Sequence, residues 1–146
     1  MNKRHTNIVA SYLVLIKGSR VLLCKRQNTG YSDGQYSLIV GHLEPGETFT
    51  KTIIREAKEE AGISLDKKNL LALHVQHCKS ELNATERVHV YFTSNDWKGK
   101  IVNKEPDKCE HLKWFDFEKL PSNIVPHVYE ALKNIKKKVF YSEQGW

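Results

Sequence analysis

The chain has 146 residues, of which 40% are hydrophobic and 27% are charged. This composition is typical of a soluble globular protein and excludes a disordered or fibrous one. The length predicts one compact domain over residues 1–146, because two ordinary domains would need more chain. The longest apolar runs are too short to cross a bilayer. The net charge of +6 favours polyanionic partners, which include nucleotides, nucleic acid and acidic membrane surfaces, without choosing among them.

The cysteine content and the N-terminus indicate a cytoplasmic protein. Cys24, Cys78 and Cys109 are odd in number and form no CxxC pair, which is typical of a reducing compartment and indicates no structural zinc. The N-terminus joins basic residues to an apolar stretch, as a signal peptide does. Lys17 and Arg20 follow that stretch, however, and no small-residue cleavage site is present, so a core strand is the better interpretation.

The beginning of the chain predicts strands separated by polar turns. Residues 7–17 and 20–26 are rich in leucine and β-branched residues, and the sequence Lys-Gly-Ser-Arg between them predicts a hairpin. Residues 27–35 are polar and contain glycine, which is typical of a loop. Residues 36–40 form the next predicted strand.

A helix is predicted over residues 49–61, and both of its ends carry boundary signals. Thr48 is suited to the N-cap, because its hydroxyl can accept a hydrogen bond from a backbone N–H group of the first turn. Gly62 stands where helices often end with a left-handed residue, and Ile63 supplies an apolar contact beyond it.

The second half of the chain predicts three more strands and a closing helix. The strands are expected over 69–78, 86–95 and 111–117. The helix begins near Pro126, since proline fits the first turn of a helix and an apolar stripe follows it at helical spacing. The lysines at 133–138 have the pattern of a solvated helix end, and the role of the tail 141–146 is left open.

The predicted helix concentrates negative charge on one face. Glu56, Glu59 and Glu60 converge there, because positions three and four apart lie on the same side of a helix. Charge runs of this kind are most often solvated acidic faces. The like charges repel one another, however, and they become a binding site if a hard divalent cation lies between them.

The helix and the turn before it resemble the Nudix box, G-x5-E-x7-R-E-U-x-E-E-x-G-U, in which U is an apolar residue. Every specified position is filled, by Gly41, Glu47, Arg55, Glu56, Ala57, Glu59, Glu60, Gly62 and Ile63. One departure is His42, which stands where many members have a second glycine. The resemblance extends over nearly the whole chain and implies an α/β (α+β) fold, the Nudix αβα sandwich with a mixed central β-sheet.

The resemblance also implies the chemistry of the site. Glu56, Glu59 and Glu60, together with the Gly41 carbonyl, would form a Mg²⁺ site that also accepts Mn²⁺, and Glu56 or Glu59 would be the general base. The matching Arg55 and Glu47 would form the ion pair that orients the turn on the helix. Glu110 is a candidate for an additional metal-binding carboxylate, and an exposed acid of no special function is an equal alternative.

The substrate class follows from residues outside the box. The residues that distinguish ADP-ribose and diadenosine-polyphosphate members are absent between Gly62 and Val90, whereas 105–121 resembles MutT-like nucleoside triphosphate pyrophosphatases. This resemblance implies hydrolysis of a nucleoside tri- or diphosphate to the monophosphate plus pyrophosphate or phosphate. Alternatives are another nucleotide derivative (ADP-ribose, a dinucleotide or an RNA 5′ end) and a non-catalytic sensing module. We expect a small-molecule nucleotide, rather than nucleic acid or a membrane, as the partner of a monomer or homodimer.

Several side chains are candidates for contact with the substrate, and each has a structural alternative. Tyr31 lies in a polar loop where packing gives it little reason to be, so it is the first choice for stacking on a base. Tyr36 and Trp114 have the same chemistry but are compatible with the core. Arg26 could bind a phosphate or extend to water, and His42 could donate to the substrate or be an inert loop residue.

Overall fold

The computed structural model describes residues 2–80 and 82–146, and within them the chain forms nine strands, two α-helices and a short 3₁₀ helix. In chain order they are β1 (Ile8–Leu13), β2 (Ile16–Lys17), β3 (Arg20–Arg26), β4 (Tyr36–Ser37), β5 (Ile39–His42), α1 (Phe49–Ala61), the 3₁₀ helix (Lys67–Asn69), β6 (Leu70–Lys79), β7 (Glu86–Ser94), β8 (Cys109–Asp116), α2 (Pro126–Lys136) and β9 (Tyr141–Gln144). No helix in this part of the chain is long and apolar enough to span a membrane.

The strands form two sheets. The first has the order β5-β1-β7-β6-β9 and is mixed, because β1 pairs with β7 and β6 with β9 in parallel while the other pairs are antiparallel. The second is antiparallel and contains β2, β3, β4 and β8. The mixed sheet with two helices confirms the predicted fold class.

The structure corrects two of the predicted strands. The segment 7–17 is not one arm of a hairpin, since β1 joins the mixed sheet and only β2 turns back onto β3. The segment 36–40 is likewise divided, because β4 pairs with β3 and β5 pairs with β1. In both segments the chain crosses from one sheet to the other, so each half finds a different hydrogen-bonding partner.

The helix α1 has the predicted bounds and the predicted caps. The Thr48 hydroxyl accepts from the backbone N–H of Lys51, and Gly62 is left-handed with φ of +69°. Its buried stripe includes Ile53, Ala57 and Ala61, which have no exposed surface. The stripe packs on β1 and β5, and the glutamates lie on the neighbouring face of the helix, beside the end of β5.

The two helices cover different apolar cores. Val128, Ala131 and Leu132 of α2 have no exposed surface and belong to a cluster that includes residues of β1, β3 and β7. The α1 residues belong to a second cluster, formed with other residues of the same strands. This layering places the turn between β5 and α1 at the edge of the mixed sheet, where the candidate site lies.

Candidate active site

A cleft of about 670 Å³ opens beside the C-terminal half of α1. Its walls come from four parts of the chain: the end of β5 with the turn after it, the acidic face of α1, the loop that contains residues 28–29, and the loop that contains residues 105–108. The cleft therefore brings together most of the residues of the predicted motif.

The turn is fixed to the helix by Glu47 and Arg55. The Nε and Nη2 atoms of Arg55 donate to the two carboxylate oxygens of Glu47 at 2.7 and 3.0 Å. The carboxylate also accepts from the Thr52 hydroxyl at 2.7 Å and from the Glu44 backbone N–H at 3.0 Å. The hydrogen bonds from Arg55, the backbone of Glu44 and Thr52 lower the pKa of Glu47 to about 2, so this carboxylate is ionised at neutral pH.

The same guanidinium also reaches the acidic face of the helix. Its Nη1 atom donates to Glu56 at 2.6 Å and to Glu59 at 3.4 Å. The Nη2 atom adds a bond of 3.3 Å to the carbonyl of His42. Arg55 therefore holds the turn, two helix carboxylates and the strand end in one arrangement.

Gly41 and Glu56 approach each other so closely that a side chain at position 41 would displace that of Glu56. A Cβ atom added to Gly41 would lie 2.2 Å from Cγ and 2.4 Å from Oε1 of Glu56. Gly41 is itself buried in β5. The missing side chain thus leaves a cradle in which a carboxylate lies against the backbone of the strand end.

Two of the helix carboxylates are in surroundings that disfavour their charge. Burial raises the pKa of Glu56, and the charges of Glu59 and Glu105 act in the same direction. Burial, followed by the charges of Glu56 and Glu105, raises the pKa of Glu60 well above its usual value. The Val40 backbone N–H donates to Glu60 at 3.1 Å. Because a bound cation would relieve the repulsion between these carboxylates, their closeness favours cation binding.

These residues fit a divalent cation by their chemistry. Carboxylate and carbonyl oxygens are the ligands that Mg²⁺ and Mn²⁺ prefer, and the cradle at Gly41 places a carboxylate beside the backbone. Among residues 2–80 and 82–146, no three acidic, histidine or cysteine side chains are gathered tightly enough to form a ready-made metal centre. The guanidinium of Arg55 lies between Glu56 and Glu59 in this arrangement.

Glu105 supplies a further carboxylate at the cleft, whereas the predicted Glu110 does not line it. Glu110 lies on β8 outside the cleft wall, and its carboxylate pairs with Lys25 at 3.0 Å. Glu105 lies in the preceding loop and lines the cleft, and its charge contributes to the raised pKa values of Glu56 and Glu60. The sequence signal for Glu105 was its place in the segment that resembles MutT-like proteins.

Two of the proposed substrate contacts lie at the cleft. His42 follows the cradle, and Arg26 lines the opposite wall. Arg26 is already engaged, because its Nε donates to the Tyr31 carbonyl at 2.9 Å and its Nη2 to the Thr29 hydroxyl at 3.0 Å. Tyr31 is half exposed outside the cleft wall, with its ring 5.6 Å from the Arg26 guanidinium carbon.

The other two aromatic candidates are core residues. Tyr36 is 8% exposed, and its hydroxyl is hydrogen bonded to His111 at 2.8 Å. Trp114 packs against the cluster beneath α1. Neither side chain lines the cleft, so packing in the core explains both residues better than contact with a substrate.

The fold is shared with MutT/Nudix structures. A MutT NUDIX hydrolase from Burkholderia pseudomallei superposes with a TM-score of 0.79 and 26% identity, over 88% of this chain and 98% of that one. A MutT protein from Methanosarcina mazei has a TM-score of 0.74 and 16% identity, over 94% and 98% of the two chains. At that identity the second match shows the fold alone.

Sequence comparison then gives the family. Residues 6–135 match the NUDIX domain, and the chain belongs to the Nudix family. Among curated relatives, the NAD-capped RNA hydrolase NudC of Chromobacterium violaceum is 27% identical over 84% of this chain. The NudC of Pseudomonas aeruginosa is 29% identical over 81% of it. The chain spans 43% and 40% of the length of these two relatives.

Proposed function

We propose that this chain is a divalent-cation-dependent Nudix hydrolase that uses Mg²⁺ or Mn²⁺. It cleaves the diphosphate linkage of a nucleoside tri- or diphosphate and releases the monophosphate with pyrophosphate or phosphate. The observation that carries the proposal is the network of Arg55, which fixes Glu47 and the helix carboxylates around the cradle at Gly41. The match to a MutT NUDIX hydrolase over 98% of its length supports hydrolase activity for a chain of this length.

The residues have distinct roles in this proposal. Glu56, Glu59, Glu60 and the Gly41 carbonyl hold the cation, and Glu105 adds a carboxylate from the opposite loop. When bound, the cation neutralises the diphosphate and makes water more acidic. Glu56 or Glu59 accepts the proton of the attacking water.

Other chain residues orient the site rather than react. Arg55 and Glu47 keep the cradle and the helix in register through their bidentate ion pair. His42 at the end of β5 donates to a phosphate oxygen of the substrate. Fixed geometry of this kind contributes to catalysis, because small displacements of reacting groups are costly.

A second candidate is hydrolysis of a nucleotide joined to a larger group, including an NAD-type RNA 5′ end. The names of the NudC relatives favour this candidate, although the chain spans less than half of the length of these relatives. The net charge of +6 is compatible with an RNA substrate.

The test is a substrate panel with product identification. NTPs, dNTPs, NDPs, ADP-ribose, NAD, dinucleotides and NAD-capped RNA are incubated with Mg²⁺, with EDTA, and with Mg²⁺ restored. The proposal predicts a monophosphate product that disappears with EDTA and returns with Mg²⁺. Release from capped RNA alone would favour the second candidate, and no release from any substrate would contradict both.

The Glu59→Gln variant separates an enzyme from a sensing module. An enzyme should lose most of its turnover while retaining nucleotide binding, whereas a sensor should be unaffected. We further propose that residues 1–146 act as one domain in the cytoplasm, where the three cysteines stay as free thiols. A sizing measurement in solution would decide between the predicted monomer and the predicted homodimer.

A further inference from the structure

Two loops at the cleft are joined by amide side chains. Three successive carbonyl oxygens in residues 106–108 accept hydrogen bonds from residues 27 and 28. The Nε2 atom of Gln27 donates to Pro106 at 2.7 Å, and the Nδ2 atom of Asn28 donates to Asp107 at 3.0 Å. The backbone N–H of Gln27 donates to the third carbonyl at 2.9 Å. Residues 106–108 of the loop are thus tied to the two residues that follow β3.

Another amide holds the same loop from within. Asn103 Nδ2 donates to the carbonyl of Cys109 at 2.7 Å, and its Oδ1 accepts from the backbone N–H of Glu105 at 3.1 Å. The Cys109 N–H donates to the Glu105 carbonyl at 2.8 Å. The backbone of Glu105 is therefore fixed on both sides by bonds that close the loop.

These bonds are needed because the sheet ends at this point. The β3–β8 pairing shifts register between Cys24 and Arg26, and its last pair is Arg26 with Cys109. Beyond it, Asn28 has a left-handed backbone with φ of +54°, which asparagine tolerates better than most residues. Side-chain amides then take over the joining role that the backbone ladder had in the sheet.

We propose that Gln27, Asn28 and Asn103 are positioning residues that hold Glu105 and Lys108 at the cleft, opposite the carboxylates of α1. This inference rests on the proposed function and adds the groups that set its geometry. Glu105 and Lys108 lie in a loop without regular secondary structure, yet both line the cleft. Without the amides, this loop would sample other arrangements and the acidic side chain would leave the cation site for part of the time.

The first test combines Gln27→Ala with Asn28→Gly. Glycine retains the left-handed backbone while removing the amide, so the variant loses the two side-chain bonds without a strained turn. The control is Asn134→Ala, which removes an amide bond of 2.9 Å to Glu130 inside α2, away from the cleft. Melting temperatures establish that both variants are folded.

Three readouts are compared in the wild type, the double variant and the control. We expect faster amide hydrogen exchange in residues 103–109, weaker Mn²⁺ binding by electron paramagnetic resonance, and kcat reduced about tenfold, as the loss of two hydrogen bonds would give. The KM for the nucleotide should change by less than about twofold, because the loss concerns geometry rather than uniform substrate binding. The control should match the wild type in all three.

The variants Asn103→Asp and Asn103→Ala form a graded pair. Aspartate keeps the oxygen that accepts from the Glu105 N–H and loses the donor to the Cys109 carbonyl, so it should retain more activity and Mn²⁺ affinity than alanine. Unchanged exchange in the double variant, or faster exchange with wild-type Mn²⁺ affinity and kcat, would overturn the inference. If the wild type hydrolyses no substrate, the proposed function fails, while exchange and Mn²⁺ binding still decide the positioning role.

Discussion

Arg55 is the residue on which the geometry of the cleft depends most. One guanidinium makes two bonds to Glu47, one each to Glu56 and Glu59, and one to a strand carbonyl. A planar group with five donors can do this, whereas the ammonium of lysine cannot reproduce the fork.

The Arg55→Lys variant should therefore lower kcat strongly. We expect about a hundredfold loss with a smaller change in melting temperature, because a mislocated carboxylate costs more in geometry than in folding. Steady-state kinetics measure the loss, and Arg20→Lys on β3, which lies outside the cleft, is the matched control. Equal kcat values in the two variants would show that the fork has no role in turnover.

Gly41 makes a prediction that depends on its neighbour. Gly41→Ala places a methyl group within 2.2 Å of the Glu56 side chain and should destabilise the protein by roughly 1–3 kcal/mol, as overpacking does. Adding Glu56→Ala removes the group that clashes, so the double variant should regain part of that loss. Urea unfolding of the four proteins measures the coupling, and strictly additive effects would rule out the close approach.

Helix α1 was predictable because its signals are local. Thr48, Gly62 and the apolar stripe lie within the helix or beside it, so propensity and capping suffice. Strand β9 was missed for the opposite reason. Its sequence YSEQ has no apolar alternation, and it becomes a strand only by pairing with β6, which is distant in the chain.

The candidate site shows the same division between local and distant information. The motif predicts the carboxylates that share α1, because their spacing places them on one face. Glu105 and Glu110 could not be told apart in this way, because Glu105 lies in a loop and Glu110 on β8, and only the folded structure shows which carboxylate lies at the cleft. The exclusion of Tyr36 and Trp114 also required the packing of two sheets.

The C-cap of α1 gives a prediction for the helix as a unit. Gly62→Ala should lower the free energy of unfolding by roughly 1 kcal/mol, because φ of +69° is unfavourable for residues with a side chain. Chemical denaturation of both proteins measures this free energy of unfolding. Ala84→Gly is the reverse control, since Ala84 has φ of +53° and should not be destabilised by glycine. A loss of the same size in both would point to a cause other than the backbone.

The molecule as a whole contains a buried network of histidine and tyrosine side chains between the mixed sheet and α2. Tyr12 is hydrogen bonded to His127 at 3.0 Å, and Gln76 joins Tyr91 to the His127 carbonyl. Burial, followed by the charges of His127 and Arg87, lowers the pKa of His89 to about 2. Burial, then the charge of Arg87, lowers the pKa of His127 to about 4.

This network predicts loss of stability in acid. Because the unfolded histidines take up protons near pH 6.5 and the folded ones only at lower pH, stability is complete above that value and falls as the pH decreases. Each should cost roughly 2–3 kcal/mol by about pH 4.5. Urea unfolding at neutral pH and at about pH 4.5 measures this loss of stability. His127→Gln should reduce the pH dependence, and a slope identical to that of the wild type would contradict this explanation.

Mn²⁺ binding measured together with nucleotide hydrolysis tests the account of the cleft most directly. Electron paramagnetic resonance is recorded on the wild type and on the Glu56→Gln/Glu60→Gln variant, with the substrate panel run on the same samples. We expect the wild type to bind Mn²⁺ and to release a monophosphate that EDTA abolishes, and the variant to lose both. Equal Mn²⁺ affinity and equal turnover in the two proteins would contradict a catalytic cation held by the carboxylates of α1.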